Sequence, residues 1–358
     1  MFNMEHFETE RKNKIKYLVL IALFIIITIM SLLTISHFVN EQSFVLSFGV
    51  LSKSIVIQLF AIAPIYFLMD TLRLYFILKA IDVKVPLVYI LRLTFINLFI
   101  SNVTPFATGG GIAQIHFLTK QNVHIADATA ATSIRTAIPL IFFSIMAPLI
   151  LIFDKSIVGI MTGSSTLLFT MIMVTVNFIT IMGVYLLIRN PRLIKRLLVC
   201  ITIHSRRKKI IRTMRSKQKI VNFLHAIDRF SQNIKRYLNA QPKYLALSIL
   251  SSLGFLTASF SFTIVLIKGL NETAPVISIL LFQIVVTYFM YFAPTPGATG
   301  IAEGGFTLFF KNFVKSSEIV TVAFIWRFFT IYIGLAIGAV LFYYEIFRTE
   351  KTIIDRRI

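Results

Sequence analysis

Apolar runs long enough to cross a bilayer recur along almost the whole chain, separated by short polar connections and by one long basic stretch. Tyr17 to Phe38, Ser54 to Leu78, Thr136 to Phe153, a span within Ser165 to Ile188, Tyr244 to Ile267, Pro275 to Phe292 and Ile319 to Tyr344 each predict a membrane helix. About 20 apolar residues rising 1.5 Å each match a hydrocarbon layer of roughly 30 Å. Two further apolar regions, Pro86 to Lys120 and Ala293 to Lys311, are interrupted by Pro and Gly. A break at membrane depth is tolerated only where the freed backbone groups are buried in protein or line a wet cavity. The pattern therefore predicts an all-α polytopic bundle of about seven to eight transmembrane helices with two broken or re-entrant motifs.

Composition agrees: of 358 residues, 57% are hydrophobic and 14% charged, which excludes an ordinary soluble domain. The single cysteine, Cys200, excludes a disulfide framework within one chain. The first apolar run is longer than a signal-peptide core and follows Arg11, Lys12, Lys14 and Lys16, so it reads as a retained anchor with its N-terminus inside.

Charge orders the chain into segments. Residues 1–16 form a cytoplasmic N-terminus, 17–188 a first membrane half with a motif at 97–114, and 189–243 a basic loop. A second membrane half, 244–346, carries a motif at 294–305, and 347–358 is a basic tail. Between Arg189 and Lys243 sixteen Lys and Arg face one acid, Asp228, so this loop holds most of the net charge of +21. Basic loops stay on the cytoplasmic side and are drawn to anionic lipid surfaces. That topology explains the sign without nucleic acid. Within the loop, Ile220, Phe223, Leu224, Ile227, Phe230, Ile234 and Tyr237 fall at helical spacing and predict an amphipathic helix, resting on the bilayer or the bundle, or serving a partner. A cytoplasmic C-terminus requires the second motif region to complete a crossing while the first re-enters.

The interruptions repeat. Thr104-Pro105-Phe106-Ala107-Thr108-Gly109 returns as Thr295-Pro296-Gly297-Ala298-Thr299-Gly300. Ile112-Ala113-Gln114 follows the first copy and Ile301-Ala302-Glu303 the second, with a two-residue offset. Paired interrupted segments in corresponding halves point to a substrate site at a repeat interface. Gly109, Gly110 and Gly111, like Gly300, Gly304 and Gly305, permit tight turns and close helix approach; neither run ends in the Lys-Ser or Lys-Thr of a nucleotide loop. Gly334 and Gly338 form a GxxxG that predicts a packing face.

Ionisable residues in apolar runs are few: Asp70, Arg73, Arg92, Arg135, Glu303 and Arg327. An arginine at a helix centre costs about 2.5 to 3.5 kcal/mol on insertion scales, so these side chains should face a cavity or one another. Asp70 and Arg73 stand three apart, in reach of a local pair or of substrate. Arg135 and Arg327 each follow their motif at a similar distance and offer bidentate forks suited to phosphate. Equally, they can pair with Asp70 and Glu303 for assembly. Glu303, at the start of a half-helix, can meet an amine, carry a proton or merely cap. The scattered histidines predict no metal site or cofactor, and His116 reads as a polar cavity or interface residue.

Asn97, Asn102-Val103-Thr104-Pro105, Gly109-Gly110-Gly111-Ile112-Ala113-Gln114 and Arg135 resemble the first signature of the lysylphosphatidylglycerol synthase transmembrane-region family. This family includes the flippase domain of the multiple peptide resistance factor. Pro294-Thr295-Pro296-Gly297-Ala298-Thr299-Gly300-Ile301-Ala302-Glu303 with Arg327 resembles the second. Ala298 stands where the family usually has glycine, and Gln114 where an acid is common. The resemblance covers about residues 15 to 345 and implies a plasma-membrane protein that moves lysylphosphatidylglycerol-type lipid between leaflets and supports resistance to antimicrobial peptides. With the charges read above, it makes Arg135, Arg327, Glu303, Gln114, Asn97 and Asn102, together with the Asp70 and Arg73 pair, the expected phospholipid-binding residues. Rival expectations are a phosphatidylglycerol lysyltransferase using aminoacyl-tRNA, a membrane subunit of a polyprenyl-phosphate glycosylation enzyme, and a partner of a separate synthase. The lysyltransferase needs a soluble domain not expected in a chain that stops at Ile358. Oligomeric state is not legible.

Overall fold

The computed structural model describes residues 51–153 and 232–355, together with residues 175, 178 and 182. The expected anchor Tyr17 to Phe38, most of the span within Ser165 to Ile188, Cys200 and the basic loop as far as residue 231 lie outside the described residues. Among the described residues all regular structure is helical.

Among the described residues four helices are long and apolar enough to cross a membrane: α1 (Lys53–Ala80), α4 (Ile125–Phe153), α5 (Pro242–Leu270) and the run Glu318–Glu345. That last run begins in α8 (Ser316–Arg327), passes through a π-helical turn at Phe328–Tyr332 and continues into α9 (Ile333–Asp355). At 28 residues, α1 reaches about 42 Å. The remaining helices are shorter: α2 (Leu87–Val103), α3 (Thr108–Lys120), α6 (Val276–Tyr291) and α7 (Ile301–Phe310). With 17, 13, 16 and 10 residues they reach only about 25, 20, 24 and 15 Å.

Each short pair is an antiparallel hairpin. Tyr89 Oη donates to Phe117 O at 2.9 Å near the open end of α2 and α3, and Gly110 lies against Asn97 and Ser101 near the turn. In the second pair, Phe282 meets Phe309 with ring centroids 5.5 Å apart, and Gly305 faces Val286. The second motif region therefore reverses the chain as the first does, and α7 returns along α6. The reason is local: left-handed backbone within each turn reverses the chain.

Helix ends follow their sequence signals. Ser52 Oγ accepts from Ile55 N at 3.4 Å to cap α1. Both α1 and α3 close with a left-handed residue, Asp82 (φ 58) and Asn122 (φ 60), and the next amide reaches back to Leu78 O at 2.9 Å and Leu118 O at 3.3 Å. These are Schellman motifs, which satisfy carbonyls that a helix end would leave open.

Packing pairs the halves. α1 runs antiparallel to α5: Ile55 meets Gly269, Tyr66 stacks on Phe255 at 4.9 Å, and Lys79 Nζ lies 5.8 Å over Tyr244. α2 packs on α9, where Gly338 abuts the Phe95 carbonyl and Gly334 the Leu98 side chain. The GxxxG face thus packs within the chain. α6 packs on α4, with Phe143 and Tyr291 centroids 5.4 Å apart. Two apolar cores result. One holds α2, α3, the last part of α1 from Leu74 and the first part of α4 to Ile134; the other holds α6, α7, α1 up to Phe67 and α4 from Phe143.

A short helix at 232–238, the described end of the expected amphipathic helix, rests on the bundle through buried Ile234 and Tyr237. Asn233 Nδ2 donates to Asp127 Oδ1 at 2.8 Å, and Arg236 Nη2 bonds Asp82 Oδ2 at 2.7 Å. It therefore sits where the α2 and α3 hairpin opens.

Candidate functional site

The two turns lie against each other, and the second also touches α2. Each is a single 3-10 turn, Pro105–Ala107 and Pro296–Ala298, preceded by an extended threonine. The repeated hexapeptide holds the same conformation at matching positions: Phe106 (φ 54) and Ala107 (φ 52) answer Gly297 (φ 59) and Ala298 (φ 56). The copies part at the next residue. Thr108 is already helical, whereas Thr299 is extended (ψ 140) and Gly300 turns at φ 89 before α7 begins. This delayed start places Glu303 within the first turn of α7 and Gln114 in the middle of α3.

Threonines tie the turns. Thr104 Oγ1 donates to Ile100 O at 2.8 Å and accepts from Gly109 N at 3.0 Å. Thr295 Oγ1 donates to Thr299 O at 2.7 Å. Asn102 Nδ2 donates to Leu98 O on its own helix at 2.7 Å.

Beside the first hairpin lies a buried ionic cluster. Asp70 and Arg73 come from α1 and Arg135 from α4, at 2%, 5% and 5% exposure. Asp70 Oδ2 accepts from Arg135 Nη2 at 2.7 Å, and Asp70 Oδ1 lies 3.4 Å from Arg73 Nη1. Arg73 Nη2 donates to Arg135 O at 3.1 Å and its guanidinium sits 4.3 Å from the Phe255 ring centre. With its amide oriented by its partners, Asn97 donates to Gly110 O and accepts from Arg135 Nη1, both at 3.1 Å. Asn97 thereby couples the hairpin to the cluster. All three charged residues fall where α1 and α4 pass from one apolar core to the other.

The second hairpin has its own arginine. Arg327 Nε and Glu303 Oε1 are 3.0 Å apart, neither side chain exposed. Glu303 Oε2 accepts from Gly300 N at 2.7 Å, and Arg327 Nη2 donates to Gly297 O at 2.5 Å. One guanidinium thus binds both the turn and the helix that leaves it.

Six of the expected site residues gather in these two clusters: Asp70, Arg73, Asn97 and Arg135 in one, Glu303 and Arg327 in the other. Asn102 is occupied with its own helix. Gln114 is buried on α3 with Nε2 making no hydrogen bond among the described residues, and His116 lies exposed on the same helix. The pairing of both arginines with carboxylates matches the assembly alternative, and leaves guanidinium N–H groups over: among the described residues Arg73 Nε, Arg135 Nε and Arg327 Nη1 make no hydrogen bond. Guanidiniums in excess of carboxylates suit an anion better than a metal ion. Sequence reasoning missed Phe255, whose only signal is an aromatic ring in an apolar run.

The family model described as lysylphosphatidylglycerol synthase TM region matches residues 17–338. The chain belongs to this family. The match encloses both hairpins and every charged residue of the two clusters, so their turns and arginines are features of a family member. A relative, a UPF0104 membrane protein of Archaeoglobus fulgidus, is 20% identical over 299 residues, covering 83% of this chain and 88% of that protein. Family membership and four long apolar helices together make this a membrane protein.

Proposed function

We propose that this family member moves a phosphate-bearing lipid between leaflets. The observation that carries the reading is the meeting of two helical hairpin turns, the second bonded directly by buried Arg327 and the first hairpin linked through Asn97 to buried Arg135, each arginine on the helix that follows. α1 and α5 are antiparallel, and the α2 to α9 contact is answered by α6 to α4. This supports two halves related by an axis in the membrane plane, an inverted repeat with seven to eight spans in all. One hairpin then opens to each side of the membrane, and the turns meet near its middle, the arrangement of alternating-access carriers. The basic loop and the docking of 232–238 beside Asp82 and Asp127 favour a cytoplasmic opening for the first hairpin, with both termini cytoplasmic in the plasma membrane.

The family name supports a phosphatidylglycerol-type cargo, either the anionic lipid itself or its aminoacylated, lysylphosphatidylglycerol-type form. Arg73 and Arg135 would receive phosphate, while Arg327, Glu303, Asn97 and the turn residues Thr104, Pro105, Gly109, Gly110, Thr295, Pro296, Gly297 and Gly300 would hold or release the hairpins. Asn102 and Gln114 would complete the polar lining. An enzyme of lipid aminoacylation or polyprenyl-phosphate glycosylation, or a partner of a separate transferase, is the second reading, and the same family name favours it.

Purified protein in liposomes with labelled lipids of several head groups tests both. Translocation without a partner supports the carrier; its absence, with product formed from aminoacyl-tRNA or sugar donors, establishes an enzyme. Glu303→Gln at matched expression should slow translocation, and unchanged rates would remove Glu303 from the mechanism.

A further inference from the structure

The two clusters differ in net charge, and the difference specifies a ligand. Glu303 and Arg327 cancel. Arg73 and Arg135 face only Asp70, and the remaining ionisable neighbours of Arg73 are the phenols of Tyr291 and Tyr66. Among the described residues the first cluster therefore holds one uncompensated positive charge on groups at least nine-tenths buried. Burying unpaired charge costs several kcal/mol, so a site of this kind is built to be neutralised by what it binds.

We infer that the Asp70, Arg73 and Arg135 site binds the phosphodiester of a net-anionic lipid and discriminates against the same lipid carrying a lysyl group. This rests on the reading of the site as a lipid site. A phosphodiester bears one negative charge and two terminal oxygens, which match the surplus charge and the free N–H groups on Arg73 and Arg135. A phosphomonoester dianion overshoots by one charge. A lysyl ester brings an ammonium, and among the described residues the cluster has no carboxylate to spare: Asp70 Oδ2 is held by Arg135 and Oδ1 faces Arg73. The ring of Phe255 against Arg73 fixes the guanidinium plane, favouring a planar bidentate contact.

Equilibrium binding to the purified full-length protein in detergent tests this with short-chain phosphatidylglycerol, lysylphosphatidylglycerol, phosphatidic acid and phosphatidylcholine. Phosphatidylglycerol should bind about tenfold or more tightly than the lysyl lipid and phosphatidylcholine. Arg73→Gln leaves a neutral Asp70 and Arg135 pair and should abolish that preference, Arg73→Lys should keep it, and Asp70→Asn should shift it toward phosphatidic acid. Equal affinity for phosphatidylglycerol and its lysyl ester overturns the inference, as does a folded Arg73→Gln protein that keeps the preference. Should Arg73→Gln fail to fold, the head-group comparison on the unaltered protein decides. Selective binding without translocation in liposomes would overturn the carrier reading alone; translocation with no head-group preference in binding would overturn this inference alone.

Discussion

Arg327 holds Glu303 at 3.0 Å with neither side chain exposed, and the same guanidinium bonds the Gly297 carbonyl in the turn before it. Arg135 holds no acid of its own hairpin: its carboxylate, Asp70, belongs to α1, and it reaches α3 only through Asn97. The second hairpin is therefore fastened by an ion pair and the first by a neutral amide.

Removing one member of the second pair should be costly. Arg327→Met strands a buried carboxylate and Glu303→Gln strands a buried guanidinium, each worth about 3–5 kcal/mol. Both should lower the apparent thermal midpoint in detergent sharply. Glu303→Leu with Arg327→Met, which removes both charges, should melt above either single variant. A double variant no more stable than the singles would show that the pair does not act as a unit.

Asn97→Ala removes one amide that bridges Gly110 O and Arg135 Nη1. Neutral hydrogen bonds contribute about 1 kcal/mol and those to charged groups about 1.5–3, so the expected loss is smaller than at Arg327. Hydrogen exchange should rise in Thr108–Lys120 while Ile301–Phe310 stays protected. Equal loosening of both hairpins would contradict the difference in fastening.

The turns themselves carry strain unequally. Phe106 adopts φ 54 with its side chain 60% exposed, where the second copy has Gly297. A left-handed conformation costs a side-chain-bearing residue roughly 1–2 kcal/mol, and an exposed ring returns little packing. Phe106→Gly should therefore raise the melting midpoint, and Gly297→Phe should lower it. A midpoint that falls on Phe106→Gly would mean that this ring is held by contacts beyond the described residues.

Much of this was legible in the sequence. Hydropathy located α1, α5 and the α8 to α9 run to within a few residues, and the repeated hexapeptide located both turns. It failed at α4, where Arg135 ended the apolar run at Thr136 although the helix starts at Ile125. Counting hydropathy treats a buried arginine as a boundary; only the partner on α1 makes it affordable inside. Nor could the sequence give the backbone geometry of the second turn, because the left-handed sign of φ at Ala298 is not a property of alanine. The surplus charge of the first cluster was invisible for the same reason: pairing across α1 and α4 decides it.

The glycines separate close approach from mere permissiveness. A Cβ on Gly338 would collide with the Phe95 carbonyl, which belongs to the α2 backbone and cannot rotate away, so Gly338→Ala should force α2 and α9 apart. Overpacking of this kind costs about 1–3 kcal/mol and should reduce monodisperse yield. Among the described residues Gly304 has no neighbour within 4 Å of such an atom, so Gly304→Ala should be neutral or gain up to about 1 kcal/mol from helix propensity.

Antiparallel pairing of α1 with α5 makes a prediction about sidedness. The connection after α1 contains exposed Lys84 and the one after α5 contains exposed Glu272, and these lie at opposite ends of the paired helices. In a Cys200→Ser background, Lys84→Cys should react with an impermeant maleimide only after the cytoplasmic face is opened, and Glu272→Cys should react in intact cells. The basic loop fixes the absolute sense, since 232–238 docks on Asp82 at the Lys84 end. Labelling of both from one face would exclude an axis in the membrane plane, and with it the opening of the two hairpins to opposite sides. Opposite labelling in the reversed sense would keep the axis and place the docked helix and its basic loop outside, leaving the positive-inside argument as the failed step.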